Sequence, residues 1–461
     1  MSDYTKPTPR VYQTKVLDIL ESIDTQNVIL ELDCGLGKRF ITHQIVAERF
    51  PDLRFIIVAN STGSRDETVD YMYEYGDMES DLGEVSARTP YWLRPREWKD
   101  KRIIITTAAV FDKQTTKYPD LILDFDAVII NEIDTIVRRR GAGRTLRRPW
   151  PRLLAFLRDK WIIGMSGTLR DSHSEYRHGV LQQTQDLQTL LDVLPGDPRV
   201  VRMEELENTD IGEHISPTHL HVALVEDKQI YSISVVLDEL IRSTASEIRS
   251  LDPQHSHGPL YQVIEKLDIP EKTKAHYQRL LFLRKYLFSM PPWKILFFLD
   301  IPGIRQYFNM IALRKNMPQV SKKVWRVVDI ARKAGKTVVL ASYLKTVDSI
   351  RKALERDGIP AFKLTGEVED KGAVLREFKA QEGKAALVMS TVGERDLDIG
   401  EADTLIVYDA VKTEKTMYQR IKRTRGGRVE FLTYTDTSEE RGVRRLIGSI
   451  TERYPWSCSV E

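Results

Sequence analysis

One short stretch of this chain has the residue types needed to hold phosphate. Val28-Ile29-Leu30 reads as a buried strand, Leu32-Asp33-Cys34-Gly35-Leu36-Gly37-Lys38-Arg39 follows it, and Phe40, Ile41, Ile45 and Val46 then recur at helical spacing. A strand, a glycine-containing loop and a helix start converge backbone N–H groups on one point, and the helix dipole favours negative charge there. Gly35 and Gly37 would permit close approach, and Lys38 would reach the β- and γ-phosphates of a nucleotide. Arg39 stands where such a loop normally places a Ser or Thr hydroxyl on Mg²⁺. Alone, the loop could also be an ordinary glycine turn, the less favoured of the two readings. A second motif, an acidic tetrad, supports the phosphate reading: the fourth strand ends in Asn131-Glu132-Ile133-Asp134, where an aspartate would hold the metal and a glutamate would align water. Glu132 keeps the second role, whereas Asn131 offers a neutral amide for the first.

The elements around these residues read as two parallel α/β domains. Runs at 55–58, 103–105, 127–130 and 161–163 extend the first set of strands, and runs at 337–340, 386–389, 404–407 and 429–432 make a second. Between them the spacing turns helical, as in Ile233, Val236, Leu237, Leu240 and Ile241, then Leu280, Leu281, Leu283 and Leu287. The expected division is 1–226 for the first sheet domain, 227–320 for a helical insert and 321–461 for the second sheet domain.

Length, composition and charge set the outer bounds. At 461 residues, 41% hydrophobic and 30% charged, the chain is a globular protein of several domains without an apolar run of about 18 residues. No membrane partner is expected. Two cysteines and a start lacking a signal-peptide pattern point to a reducing, intracellular and cytoplasmic setting, nucleoid-associated if archaeal-like. The net charge of +2 does not advertise a polyanion partner, but basic residues cluster locally between Arg138 and Arg148 and between Arg420 and Arg428. Neither the histidines nor the cysteines have metal-ligand spacing, so no resident metal site is expected.

In order along the chain, these motifs resemble the series of superfamily 2 helicases. Arg10-Val11-Tyr12-Gln13 resembles the Q-type motif, the loop ending at Lys38 the P-loop, Asn131 to Asp134 the acidic box, and Ser166-Gly167-Thr168 the motif closing the first sheet. Val339-Leu340-Ala341-Ser342-Tyr343 is similar to motif IV, with Leu364-Thr365-Gly366 after it. Ser390 to Asp398 is similar to motif V and Gln419 to Arg425 to motif VI. The glycine loop, the style of motif V and the helical insert together look most like the helicase domain of Hef and FANCM proteins.

The resemblance implies two RecA-like doubly wound sheets with an inserted helical domain, ATP between the sheets, and nucleic acid across both. ATP-facing residues would be Gln13, Gly35, Gly37, Lys38, Arg39, Asn131, Asp398 and Gln419, with Glu132, Arg420 and Arg423 in catalytic roles. Nucleic-acid contacts would come from Ser61, Thr62, Thr106, Thr107, Ser342, Thr365, Ser390 and Thr391, gripping phosphates without reading bases. The insert, with basic residues including Lys272, Lys274, Arg279, Arg284, Lys285, Lys294 and Lys323, matches the thumb-like domain that embraces branched DNA.

Four departures fall in the nucleotide cleft: Arg39 for threonine, Asn131 for aspartate, Asp396 for the motif V glycine, and a motif VI with Lys422 and Gly426 out of pattern. They imply bound ATP with little or no hydrolysis, and they argue against Mg²⁺. A guanidinium at Arg39 could stand where the metal neutralises phosphate. The reading is therefore a helicase-like scaffold for forked or branched DNA in repair or fork processing. The alternative keeps an active ATP-dependent helicase or translocase, with Arg425 or Arg428 as a displaced finger. No E-R-K-x-x-x-D nuclease pattern occurs in the sequence, so a nuclease or repair factor would act in trans.

Overall fold

The computed structural model describes residues 7–461 except 76, 77, 79, 141, 142, 147, 170, 171, 178, 179, 255, 257, 258, 391–398, 400, 401, 410–413, 423–426 and 461. The chain divides into two compact units, one holding most of residues 1–215 and the other most of 216–461.

Chain order in the first unit gives β1 (Val28–Glu31), β2 (Phe55–Ala59), β3 (Leu82–Val85), β4 (Ile103–Thr107), β5 (Ala127–Asn131), the hairpin of β6 (Val137–Arg140) and β7 (Gly143–Leu146), β8 (Trp161–Ser166), the pair β9 (Ser172–Arg177) and β10 (Val180–Gln185), and β11 (Arg199–Val201). Seven of these form one sheet in the order β11-β1-β8-β5-β2-β4-β3, with every neighbouring pair parallel. Parallel strands are covered on both faces, which is why β2, β5 and β8 are continuous apolar runs instead of alternating ones. Ile29, Ile56, Val58, Ile104 and Ile130 pack into the core on one face, and Leu30, Phe55, Ile57, Ile105 and Ile129 into that on the other.

The second unit continues with β12 (Thr218–Val225), β13 (Lys336–Ala341), β14 (Ala361–Leu364), β15 (Ala385–Ser390), β16 (Thr404–Val407), β17 (Gly427–Tyr434) and β18 (Cys458–Val460). They make a second seven-stranded sheet, β14-β15-β13-β16-β17-β12-β18, again parallel throughout. The expectation of two doubly wound parallel sheets is met. The strand β12 lies before the expected boundary at 226 but hydrogen-bonds between β17 and β18, so the chain changes unit near residue 215.

The helices Lys228–Leu251, Glu271–Ser289 and Pro292–Leu299 follow β12. Asp227 caps the first, its carboxylate accepting from the N–H groups of Gln229 and Ile230. Ile230, Ile233, Leu237, Ile241 and Ile248 form its buried stripe against Leu280, Leu283 and Leu287 of the second. That core includes Val225 and Tyr434 at the ends of β12 and β17, so the insert is packed onto the second sheet without a break.

A buried polar cluster closes this joint. Lys323 is fully buried, and its Nζ donates to Glu439 Oε1 at 2.7 Å and to the Phe288 carbonyl of the insert at 3.1 Å. The same ammonium lies 4.8 Å from the Tyr408 ring centroid and 5.3 Å from that of Tyr434. Glu439 also accepts from the Tyr434 N–H, and Thr346 Oγ1 donates to the Ser289 carbonyl. Nearby, buried Asp409 accepts from the N–H of Ser342 at 2.8 Å and from its hydroxyl at 3.0 Å. Burial raises Asp409 to about 6 against the opposing pull of Lys323 and the Ser342 hydrogen bonds, and burial likewise raises Glu439.

Two outcomes follow from this cluster. Lys323→Met leaves Glu439 buried without its counter-charge and should cost about 3–5 kcal/mol in urea unfolding. Adding Glu439→Gln should recover much of that loss, and no recovery would mean the pair is not what the lysine supports. For Asp409 the folded chain holds the proton more tightly than the unfolded one. Stabilisation from protonation is therefore full at low pH and is lost as pH rises through about 6. Unfolding free energies of Asp409→Asn relative to the native protein should shift in favour of the variant between roughly pH 4 and 6 and run flat above. A difference independent of pH would contradict the assignment.

Candidate nucleotide and nucleic-acid sites

In the first sheet the order β1-β8-β5 sets three strand ends side by side, and each carries one of the motifs singled out in the sequence. The β1–β8 ladder runs one residue past the strand, Leu32 N–H donating to the Ser166 carbonyl at 2.9 Å, and the glycine loop then turns into α2 (Lys38–Gln44). Gly35 and Gly37 have φ of +89° and +71°, the left-handed region where other residues are strained. A Cβ on Gly35 would meet nothing within 4 Å, so the loop has an open mouth there, whereas one on Gly37 would lie 2.7 Å from Gln13 Nε2. The residues present suit a phosphate cradle.

Lys38 has internal partners. Its Nζ donates to the Leu32 carbonyl at 3.0 Å and the Asp33 carbonyl at 3.3 Å, tying the helix start to the strand end across the loop. Gly167 backs onto the same ammonium: a Cβ there would stand 3.0 Å from Nζ. Beneath the loop, Tyr12 Oη donates to the Leu36 carbonyl at 2.9 Å, and Gln13 Nε2 donates to Tyr12 Oη at 3.2 Å. Both come from α1 (Val11–Ser22), whose first N–H groups, of Val11 and Tyr12, are accepted by Asp210 at 3.2 and 2.8 Å. The structure brings Gln13, Gly35, Gly37 and Lys38 together around the loop, with Tyr12 and Asp210 as supports.

The acidic box is anchored to the neighbouring strand. Ser166 Oγ donates to Asp134 Oδ1 at 2.9 Å and accepts from the Thr168 N–H at 3.2 Å. Between β5 and the turn Ile133–Ile136, Glu132 has φ +53° and ψ +50°, a left-handed conformation uncommon for a residue with a side chain. Arg39, proposed to stand near the phosphates, lies in the first turn of α2. It is ion-paired with Glu67 of α3 (Thr62–Tyr75).

The proposed nucleic-acid contacts divide by burial. Ser61 Oγ accepts from Ser64 N–H at the start of α3, and Thr62 is exposed. Thr106 is fully buried with its hydroxyl given to the Val85 carbonyl, while Thr107, on the opposite face of β4, is half-buried. Thr365 and Ser390 are buried, and Ser342 is held by Asp409. The hydroxyls of Thr106 and Ser342 are thus engaged inside the fold, whereas that of Thr365 is buried without a hydrogen-bond partner. Asp409 was not singled out in the sequence, although a carboxylate following the end of β16, where α/β sheets place their ligand sites, was a usable signal.

In motif VI, Gln419 is half-buried and Arg420 buried on the helix Glu414–Ile421. Lys422 is buried with Nζ on the Ser216 carbonyl at 2.7 Å, so its charge staples the helix end to the chain entering β12. Thr391, Asp396, Asp398, Arg423, Arg425 and Gly426 lie outside the described residues. Asn131 closes β5 opposite Met165. Among the described residues no group of three or more His, Cys, Asp and Glu could hold a metal ion, and no helix is long and apolar enough to cross a membrane.

Residues 322–427 match the helicase conserved C-terminal domain family. An ATP-dependent RNA helicase DBP2 of Ajellomyces capsulatus is 25% identical over 154 residues, 32% of this chain and 28% of that protein. Its counterpart of the same name in Mycosarcoma maydis is 29% identical over 136 residues, 28% of this chain and 24% of that protein. The chain therefore spans about a quarter of the length of these relatives. The crystal structure of the Pyrococcus furiosus Hef helicase domain aligns with a TM-score of 0.65 and 16% identity, covering 95% of this chain and 98% of that one. The second unit thus matches the helicase conserved C-terminal domain, and the chain has the fold of the Hef helicase domain over nearly its whole length.

Proposed function

We propose that this protein binds forked or branched DNA as a helicase-shaped scaffold, holding ATP in its first unit with little or no hydrolysis. The observation that carries the reading is the pairing of Arg39 with Glu67. At that position a working P-loop presents a hydroxyl to Mg²⁺, which bridges the β- and γ-oxygens and takes up the developing charge. An arginine engaged with a neighbouring helix supplies no ligand oxygen, and Asn131 supplies only a neutral amide at the second ligand position. The glycine loop keeps the shape of a phosphate cradle, and bound ATP would supply β- and γ-phosphate oxygens to Lys38. To meet them, Lys38 would exchange the Leu32 and Asp33 carbonyls for charged oxygens, a stronger class of hydrogen bond.

DNA is favoured over RNA because the Hef-like fold includes the helical insert, whereas the similarity to RNA helicases covers about a third of the chain. Of the basic residues in and just after the insert, Lys274, Arg284 and Lys323 are engaged with Glu271, Asp238 and Glu439. Lys272, Arg279 and Lys285 are exposed and suited to phosphate contacts that weaken with salt. A nuclease or other repair factor acting in trans is the expected partner class, and its absence from native co-purifications would count against that part. An active motor is the competing reading, kept in play by Glu132 at the end of the acidic box.

Steady-state ATP hydrolysis with and without forked DNA separates them, with Lys38→Ala as the blank. The expected result is native turnover at the level of the blank, with fork binding by Lys38→Ala within about twofold of native, since phosphate contacts outside the loop carry it. The double reversion Arg39→Thr, Asn131→Asp should raise turnover above the blank. DNA-stimulated turnover by the native protein would overturn the scaffold reading, and tighter binding to RNA forks than to DNA forks would overturn the substrate class.

A further inference from the structure

The insert carries a surface for which the strand-end sites give no use. On the helix Glu271–Ser289, Phe282 and Tyr286 lie one turn apart with ring centroids separated by 6.3 Å. Tyr286 stacks on Phe298 of the helix Pro292–Leu299 at 4.9 Å and meets Tyr343 edge-on at 5.5 Å. Phe297 continues the row from Phe298 at 5.6 Å. Rings at such spacing ordinarily close a core, yet Phe282, Trp293 and Phe297 are 58%, 53% and 63% exposed.

Cations are set among the rings. Lys294 Nζ stands 5.2 Å from the Trp293 centroid and 5.6 Å from that of Phe297, and Lys285 Nζ stands 5.6 Å from that of Tyr343. Arg279, three residues before Phe282, is exposed on the same helix face. Exposed aromatic faces interleaved with ammonium groups complement a polymer that repeats a flat π surface and a negative charge, which is a single-stranded polynucleotide. Duplex keeps its base faces stacked away from such a surface, and an apolar protein face would leave these cations without counter-charge. Tyr343 directly follows Ser342, so the row ends beside a residue expected to meet phosphate.

The geometry points to a stacking platform for unpaired bases, formed by Phe282, Tyr286, Phe297 and Trp293, with Lys285 and Lys294 on the adjoining phosphates. It rests on the reading that the protein binds nucleic acid and narrows it: the insert grips a single-stranded arm of a fork through base stacking, in addition to any grip on duplex.

Fluorescence anisotropy with a labelled oligo-dT of about 20 nucleotides and with a blunt duplex of the same length tests this. Phe282→Ala with Phe297→Ala should weaken single-strand binding roughly tenfold or more and duplex binding less than about twofold. Phe297→Leu, which keeps an apolar side chain without the ring, should also weaken single-strand binding selectively. An unfolding midpoint equal to the native one shows that the variants fold. A single-strand Kd unchanged in the double variant, or an equal loss on both ligands, overturns the platform while leaving nucleic-acid binding intact. Failure of the native protein to bind either ligand overturns the underlying reading as well.

Discussion

Parallel pairing is the constraint on which the rest of this structure depends. When every strand of a sheet runs the same way, every strand-to-helix turn falls on one edge, and residues far apart in sequence meet there without further design. Strand order then decides which of them become neighbours. β1, β8 and β5 are adjacent, so the glycine loop, Ser166-Gly167-Thr168 and the tetrad from Asn131 to Asp134 share one edge. Leu32 N–H on Ser166 O, Ser166 Oγ on Asp134, and Gly167 against Lys38 then bind the three turns into one body. In the second sheet the adjacency of β13 and β16 does the same for Ser342 and Asp409.

The joint between the insert and the second sheet obeys a different rule. An apolar seam alone would let the helices settle at many angles, since burial is non-directional. Lys323 has no such freedom: its ammonium must find both Glu439 and the Phe288 carbonyl while lying against Tyr408 and Tyr434. A misplaced helix would strand a buried charge, so the cluster selects one placement even if its net stabilisation is small. Tyr286, Phe298 and Tyr343 extend that placement to the surface, where the insert and the turn after β13 contribute to one row of rings.

Legibility in the sequence followed burial. The central strands were readable because parallel strands covered on both faces need uninterrupted apolar runs, as in Ile103-Ile104-Ile105 or Ala127-Val128-Ile129-Ile130. The edge strands β3, β11, β14 and β18 are three or four residues long and were not readable from such runs. β12 was missed for a related reason: Thr218-His219-Leu220-His221 alternates, and it stands one strand from the edge. Within the site, the glycine loop was legible because positive φ demands a particular residue. The partnership of Arg39 with Glu67 was not, because nothing in local spacing pairs a helix start with another helix. Thr106 and Thr107 illustrate the limit of motif transfer. A motif names both, yet strand alternation sends adjacent side chains to opposite faces, and the hydroxyl of Thr106 is spent inside the sheet.

The same accounting changes what a surviving motif residue can mean. Lys38 is commonly taken as the signature of nucleotide chemistry, but here its ammonium also joins the helix start to Leu32 and Asp33, a structural role that would persist without turnover. Lys422 is clearer still: buried on the Ser216 carbonyl, it contributes a cation to the fold. Glu132 is the residue for which the opposite argument can be made. A left-handed conformation at a non-glycine position costs about 1–3 kcal/mol and persists only where the surroundings impose it. A purely structural turn there would be more stable with glycine or asparagine, so the glutamate is held against a local preference. Residues with internal partners say little about hydrolysis, and the backbone at Glu132 shows a local constraint that the sequence motif alone does not explain.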